Sequence, residues 1–154
     1  FEYRAKSKLK LNAFDSAIKD VYKANKLDAE SEDFPLFFDE SHEFFIKGIN
    51  YMDLEEYEMA LDDFNKGILL RGGSAPVYYV RGIAKYELDD FQGSINDFTK
   101  SILLDSTSEN KISYAYRGNA KYELDDLDGA CVDWKKAKKL GMNEVGISIN
   151  ENCK

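Results

Sequence analysis

Cysteine and histidine are scarce in this chain, which has two cysteines, Cys131 and Cys153, and one histidine, His42, in 154 residues. Four Cys or His ligands for a structural zinc cannot be drawn from three such residues, so no metal is expected. Positive charge is also short, with 21 Lys and Arg against 29 Asp and Glu and a net charge of −8. Such a balance repels a phosphate backbone, and neither nucleic acid nor an anionic membrane surface is an expected partner. No apolar run approaches the roughly 20 residues of a membrane-spanning helix, and no membrane insertion is expected. A water-soluble protein is the reading. Catalytic signatures are missing too: there is no Gly-rich phosphate loop, no G-x-S-x-G elbow, no H-E-x-x-H and no Cys–His pair at workable spacing. A non-enzymatic chain without a cofactor is therefore expected. The chain opens at Phe1 with neither Met nor a leader. That reads as a processed protein or a trimmed fragment from which any targeting signal has gone.

What the sequence does hold is repetition. Arg81 to Phe98, RGIAKYELDDFQGSINDF, matches Arg117 to Trp134, RGNAKYELDDLDGACVDW, at 11 of 18 positions with an offset of 36. A step of 34 back from Gly82 reaches Gly48, and the same step joins Leu88 to Leu54, Phe91 to Tyr57 and Phe98 to Phe64. The period is therefore 34, with a two-residue insertion near Ser106 to Asn110. A weaker first copy runs through Leu11, Phe14, Ala17, Val21 and Ala24. Inside each unit the apolar spacing is helical: Tyr79, Ile83 and Tyr86 fall at i, i+4, i+7, and Phe91, Ile95, Phe98 and Ile102 continue at i, i+4, i+7, i+11. Each unit reads as two short amphipathic helices joined by an acidic turn, with the carboxylates at the start of the second helix. Gly48, Gly82 and Gly118 precede the small residues Ala60, Ser94 and Ala130 by twelve, so the two helices are expected to cross closely there, with Phe64, Phe98 and Trp134 filling the space between units.

Spacing and residue types together resemble the tetratricopeptide repeat, whose 34-residue pattern carries Gly at position 8, Tyr or Phe at 17, Ala at 20, Phe at 24 and Ala at 27. The resemblance covers nearly the whole chain: a truncated repeat over 1–31, a linker and helix extension over 32–40, repeats over 41–74, 75–108 and 111–144, and a capping helix over 145–154. The last repeat, YRGNAKYELDD followed by GACVDWKKAKKLG, resembles bacterial, Bacteroidetes-type members. The implied fold is all-α, a right-handed solenoid of helix-turn-helix repeats closed by a C-terminal cap. The proline usual near the repeat end is replaced by Gly72, Ser106 and Met142, and looser turns are expected there. In the linker, Phe34, Leu36, Phe37 and Phe38 either pack on the first repeat or form an exposed patch for a partner. His42 reads as a partly exposed residue at a helix start. Asp125 to Gly129 resembles a calcium loop only in part, lacks its terminal Glu and reads as a capping turn. With Gly141 to Glu144 as the connection, an antiparallel cap helix that sets Trp134 against about Asn150 brings Cys131 opposite Cys153. The pair reads as a disulfide, implying an oxidising compartment such as a periplasm rather than the cytoplasm, or as two small buried thiols.

The resemblance implies a concave face lined by the first helices. Its groove positions fall on His42, Phe45, Ile49, Met52 and Asp53; on Pro76, Tyr79, Ile83, Tyr86 and Glu87; and on Ile112, Ala115, Asn119, Tyr122 and Glu123. Aromatic and aliphatic side chains beside a row of carboxylates suit a peptide or protein segment with apolar and basic residues, with Tyr79, Tyr86 and Tyr122 as its anchors. For Phe45, Ile49 and Ile83, core between adjacent first helices is the competing role. The carboxylate clamp that grips chaperone tails needs lysine where Glu2, Phe45, Tyr79 and Ala115 stand, so an acidic chaperone tail is expected not to bind. An interaction scaffold is the leading reading, and an accessory domain of a larger enzyme or envelope-assembly factor the alternative.

Overall fold

Helical hairpins succeed one another along the chain in the computed structural model, which describes residues 40–105 and 110–153. The expected repeat over 1–31, and the linker up to Asp39 with its aromatic cluster, lie outside the described residues, as does Ser106. By backbone contacts the chain divides into Phe1–Asp39 and Glu40–Lys154, and every described helix belongs to the second of these units. Its elements are α1 (Glu40–Asp53), α2 (Tyr57–Arg71), α3 (Ala75–Glu87), α4 (Phe91–Leu104), α5 (Lys111–Glu123), α6 (Leu127–Lys139), a 3₁₀ turn (Asn143–Val145) and α7 (Gly146–Asn152). No strand occurs among the described residues. Helices α1 and α2 form the hairpin of the repeat expected over 41–74, α3 and α4 that over 75–108, and α5 and α6 that over 111–144, numbered second, third and fourth after that expectation. Each helix packs on its hairpin partner, each second helix on the first helix of the next repeat, and the first helices on one another, which is the nearest-neighbour stacking of a solenoid.

Both ends of each hairpin turn have identifiable causes. The first helices end in an αL residue, Glu55, Asp89 and Asp125, each with φ near +60°. In the third repeat the Asp89 N–H donates to the Tyr86 carbonyl and the Asp90 N–H to Lys85, the paired closure of a Schellman motif, and the other two turns repeat it. The next residue then starts the second helix. Asp90 Oδ1 accepts from the Gly93 N–H and Asp126 Oδ1 from the Gly129 N–H, both at 2.9 Å. Glu56, one carbon longer, makes no such side-chain cap. Asp125 to Gly129 is thus a capping turn.

The glycines open space for rings within their own repeats, in addition to the closer helix crossing. A Cβ on Gly48 would lie 2.4 Å from Phe64 Cε1, and one on Gly118 would lie 2.6 Å from Trp134 Cδ1. The rings also reach across repeats, with Phe98 stacked on Tyr116 of the next repeat at 5.6 Å. Beyond α6 the turn is not loose: Met142 is buried with Val145 against Trp134, Cys131 and Ala137. Helix α7 closes this end, its Ile149 and Cys153 packed on the same cluster. Cys131 and Cys153 form a disulfide with Cα atoms 5.6 Å apart. Seven residues make a marginal helix in isolation, so these contacts and the covalent tie are what hold α7.

Candidate functional site

The groove positions divide sharply by exposure. Ile49, Met52, Tyr79, Ile83 and Tyr86 are all buried, as is Ala115. Tyr79 packs its ring against Phe98 and Tyr116, at 6.0 and 6.4 Å, and Tyr86 against Phe91 and Tyr116, at 5.4 and 6.0 Å. With whole-residue exposures of 3% and 4%, both are core rather than anchors available at the surface. The reason is geometric: the positions that face inward along a first helix also face the adjacent first helix, and a flat aromatic ring fills that seam. Phe45 is half-buried with its ring 6.0 Å from Phe64, and His42 is half-buried and partnered.

The exposed groove positions are Asp53 at the end of α1, Pro76 at the start of α3, and Tyr122 and Glu123 in the C-terminal half of α5. Tyr122 is 46% exposed and its ring lies 5.7 Å from that of Trp134, which is 1% exposed. The Trp134 indole N–H donates to Asn119 Oδ1 at 2.8 Å, so the indole fixes the amide. Asn119 is half-buried, while Glu123 on the same turn is exposed, as is Asp53 at the end of α1; Glu87 at the end of α3 is half-buried. The platform therefore offers an aromatic face, an oriented amide and a carboxylate. Among the described residues no group of three or more His, Cys, Asp or Glu could hold a metal ion, and no helix is long and apolar enough to cross a membrane.

Beneath this surface runs a polar structure that the apolar periodicity does not reveal. Asp97 and Asp133 are each 1% exposed, on the inner faces of α4 and α6. Arg81 grips Asp97 with both arms of its fork, Nε to Oδ2 and Nη2 to Oδ1 at 2.7 Å each, and Lys85 Nζ adds a contact at 2.9 Å. Arg117 and Lys121 hold Asp133 in the same way, at 2.7 to 2.8 Å. The remaining guanidinium nitrogen reaches the preceding repeat, from Arg81 Nη1 to Asn65 Oδ1 at 2.7 Å and from Arg117 Nη1 to Thr99 Oγ1 at 3.0 Å. Each arginine thus ties its own hairpin together and ties that hairpin to the one before. It also lies over a ring on its own helix, Tyr78 or Tyr114, at 5.4 or 5.3 Å. The signal is present in the repeated R-G-x-A-K with an Asp 16 residues after the Arg, but charged residues on an amphipathic helix read as solvated.

No family profile matches the chain, and no curated protein sequence does. Solved structures do. The chain is similar to the Arabidopsis OM64 TPR domain, at 28% identity over 72% of this chain and 91% of that one, with a TM-score of 0.65. It is similar to the second TPR domain of human RPAP3 in complex with the HSP70 peptide SGPTIEEVD, at 25% identity over 74% and 98%, TM-score 0.65. A third, the first TPR of Spaghetti (RPAP3) bound to the HSP90 peptide SRMEEVD, is 23% identical over 72% and 88%, TM-score 0.66. The fold is that of a tetratricopeptide-repeat domain, an all-α helical-repeat solenoid. The same complexes correct the expectation that acidic chaperone tails are excluded. Domains of this fold hold peptides ending in EEVD. An exclusion drawn from the fifth position of each repeat does not stand, because a groove binds a peptide through many positions, backbone included.

Proposed function

We propose that this chain is a non-enzymatic interaction scaffold that holds a protein or peptide segment against the first-helix face, on the platform made by Asn119, Tyr122 and Glu123. The observation that carries it is the exposed Tyr122 ring backed by the buried Trp134, with an amide fixed beside it and a carboxylate on the same turn. Peptide-bound neighbours of the same fold, one of them 25% identical, support the class of function. Glu87, Glu123 and Asp53 favour a segment carrying basic residues between apolar ones, as do the aromatic rings. Phe45 is the second contact along the same face; Ile49, Met52, Tyr79, Ile83 and Tyr86 belong to the solenoid core and not to the contact surface. The bacterial type of the last repeat and an oxidising compartment for the disulfide-capped end belong to this same reading.

The chain contains one tryptophan, and it sits under the proposed platform. Titration with short peptides that alternate Leu or Phe with Lys or Arg is expected to give a saturable change in Trp134 fluorescence. Glu123→Lys is expected to weaken that binding about tenfold with the helical circular dichroism unchanged, the loss being on the order of 1.4 kcal/mol. No fluorescence response, or equal affinity in the variant, overturns the reading.

A further inference from the structure

Most of the large exposed apolar side chains among the described residues are not on the first helices. Among the described residues, Met59, Leu69, Leu70, Leu103, Leu104 and Val132 are large apolar side chains left in solvent on the second helices, whereas Tyr122 is the one comparable side chain on a first helix. Leu69 is 87% exposed and Leu103, its equivalent one repeat on, is 77% exposed. Single exposed leucines need no explanation, but a pair repeated at the same place in consecutive hairpins forms a ridge.

The same outer face is locally basic in a chain of net charge −8. Lys66, Lys100 and Lys136 occupy equivalent positions on α2, α4 and α6, each over an aromatic ring of its own repeat: Phe44 at 5.7 Å, Tyr78 at 5.1 Å and Tyr114 at 5.9 Å. In the second repeat Asp62, one turn earlier, pairs with Lys66. The residues equivalent to Asp62 are Asn96 and Val132, so the partner carboxylate is lost in the third and fourth repeats. On α6 the basic character deepens, with Lys135, Lys136, Lys138 and Lys139 all exposed and Lys139 standing where Leu69 and Leu103 stand in the other repeats. Lysines in a last turn suit the helix dipole, which accounts for part of this pattern. It does not account for leucines in water between them.

We infer that the outer face of α2, α4 and α6 is a second docking surface, separate from the first-helix platform, and that its partner is an acidic amphipathic helix laid across the repeats. Charge complementarity to the lysines supplies the sign and the leucine ridge supplies the apolar stripe. The partner therefore carries leucine-sized residues along one face with Glu or Asp between them.

The test uses a 21-residue fluorescent helix with leucines at heptad spacing and glutamates between them, followed by anisotropy. A peptide of the same composition in scrambled order is the control. The wild-type chain is expected to bind the patterned peptide at least tenfold more tightly than the scrambled one, with affinity falling as salt rises. Lys100→Glu with Lys136→Glu, and separately Leu69→Ser with Leu103→Ser, are each expected to weaken binding at least tenfold. All four positions are exposed, and unchanged helical circular dichroism confirms that the fold is kept. Glu123→Lys, on the other face, is expected to leave this binding unchanged. The inference is overturned by absent binding, by equal affinity for the scrambled peptide or for the charge-reversed variant, or by loss of binding in Glu123→Lys. It is also overturned if the wild type alone gains mass with concentration through the same residues, since the face is then closed by a second copy.

Discussion

The second repeat and the third bury an aspartate at the same place and surround it differently. Asp97 in the third repeat receives the fork of Arg81 and the ammonium of Lys85 across the hairpin. Asp63 in the second repeat has Lys47 where Arg81 stands and Tyr51 where Lys85 stands. Lys47 does not turn inward: it pairs with Glu43 on its own helix at 2.7 Å, and that hydrogen bond raises the pKa of its ammonium. Among the described residues, Asp63 pairs with Lys66 on its own helix at 3.9 Å. A lysine is a single flexible point charge that satisfies one carboxylate at a time, here Glu43 for Lys47, whereas a guanidinium can span an aspartate and a neighbour in the preceding repeat at once. The fork, rather than the positive charge, couples one hairpin to the next. Arg117 repeats the arrangement in the fourth repeat, so each of the two described junctions between repeats carries one arginine tie.

That contrast can be broken or sharpened in several ways. The largest effect is expected from Phe98→Ala, which empties a fully buried ring site between Gly82 and Tyr116 and is expected to cost about 3–5 kcal/mol in urea unfolding. Arg81→Ala is expected to cost about 3 kcal/mol, because it leaves Asp97 buried with one cation and removes the tie to Asn65. Arg81→Lys keeps the charge and is expected to lose about 1–2 kcal/mol, the part due to the fork. In the opposite direction, Ser94→Ala is expected to gain about 1 kcal/mol, since the Ser94 hydroxyl is buried without a hydrogen-bond partner at the place where Ala60 and Ala130 sit in the other repeats. The smallest effect is expected from Glu55→Gly, a gain of about 0.5–1 kcal/mol on relieving an αL residue at the second repeat's turn.

The repeat phase and hairpins were legible because small and aromatic residues recur at fixed places: Gly82 and Phe98 predict their own contact once a helix is assumed. The turns were legible as acidic and helix-capping, but not as αL, because Glu55, Asp89 and Asp125 occupy a position that glycine usually fills. The groove was legible in outline only. Tyr79 and Tyr122 occupy groove positions in successive repeats, yet the first is sealed beneath Phe98 and Tyr116 while the second has Trp134 on one side and solvent on the other. Apolar periodicity marks the inward side of a helix without saying whether a neighbour covers it. The Arg–Asp linkages were hidden for the converse reason, since a charged residue is assigned to solvent unless its partner 16 residues away is considered with it.

The most direct test is a pair of double-mutant cycles for folding stability, Arg81→Ala with Asp97→Ala in the third repeat and Lys47→Ala with Asp63→Ala in the second. The contrast between the repeats predicts a coupling of about 2 kcal/mol or more for Arg81 with Asp97, and of about 0.5 kcal/mol or less for Lys47 with Asp63. Equal couplings in the two repeats would contradict it, and would mean that any cation at this position holds the buried aspartate equally well.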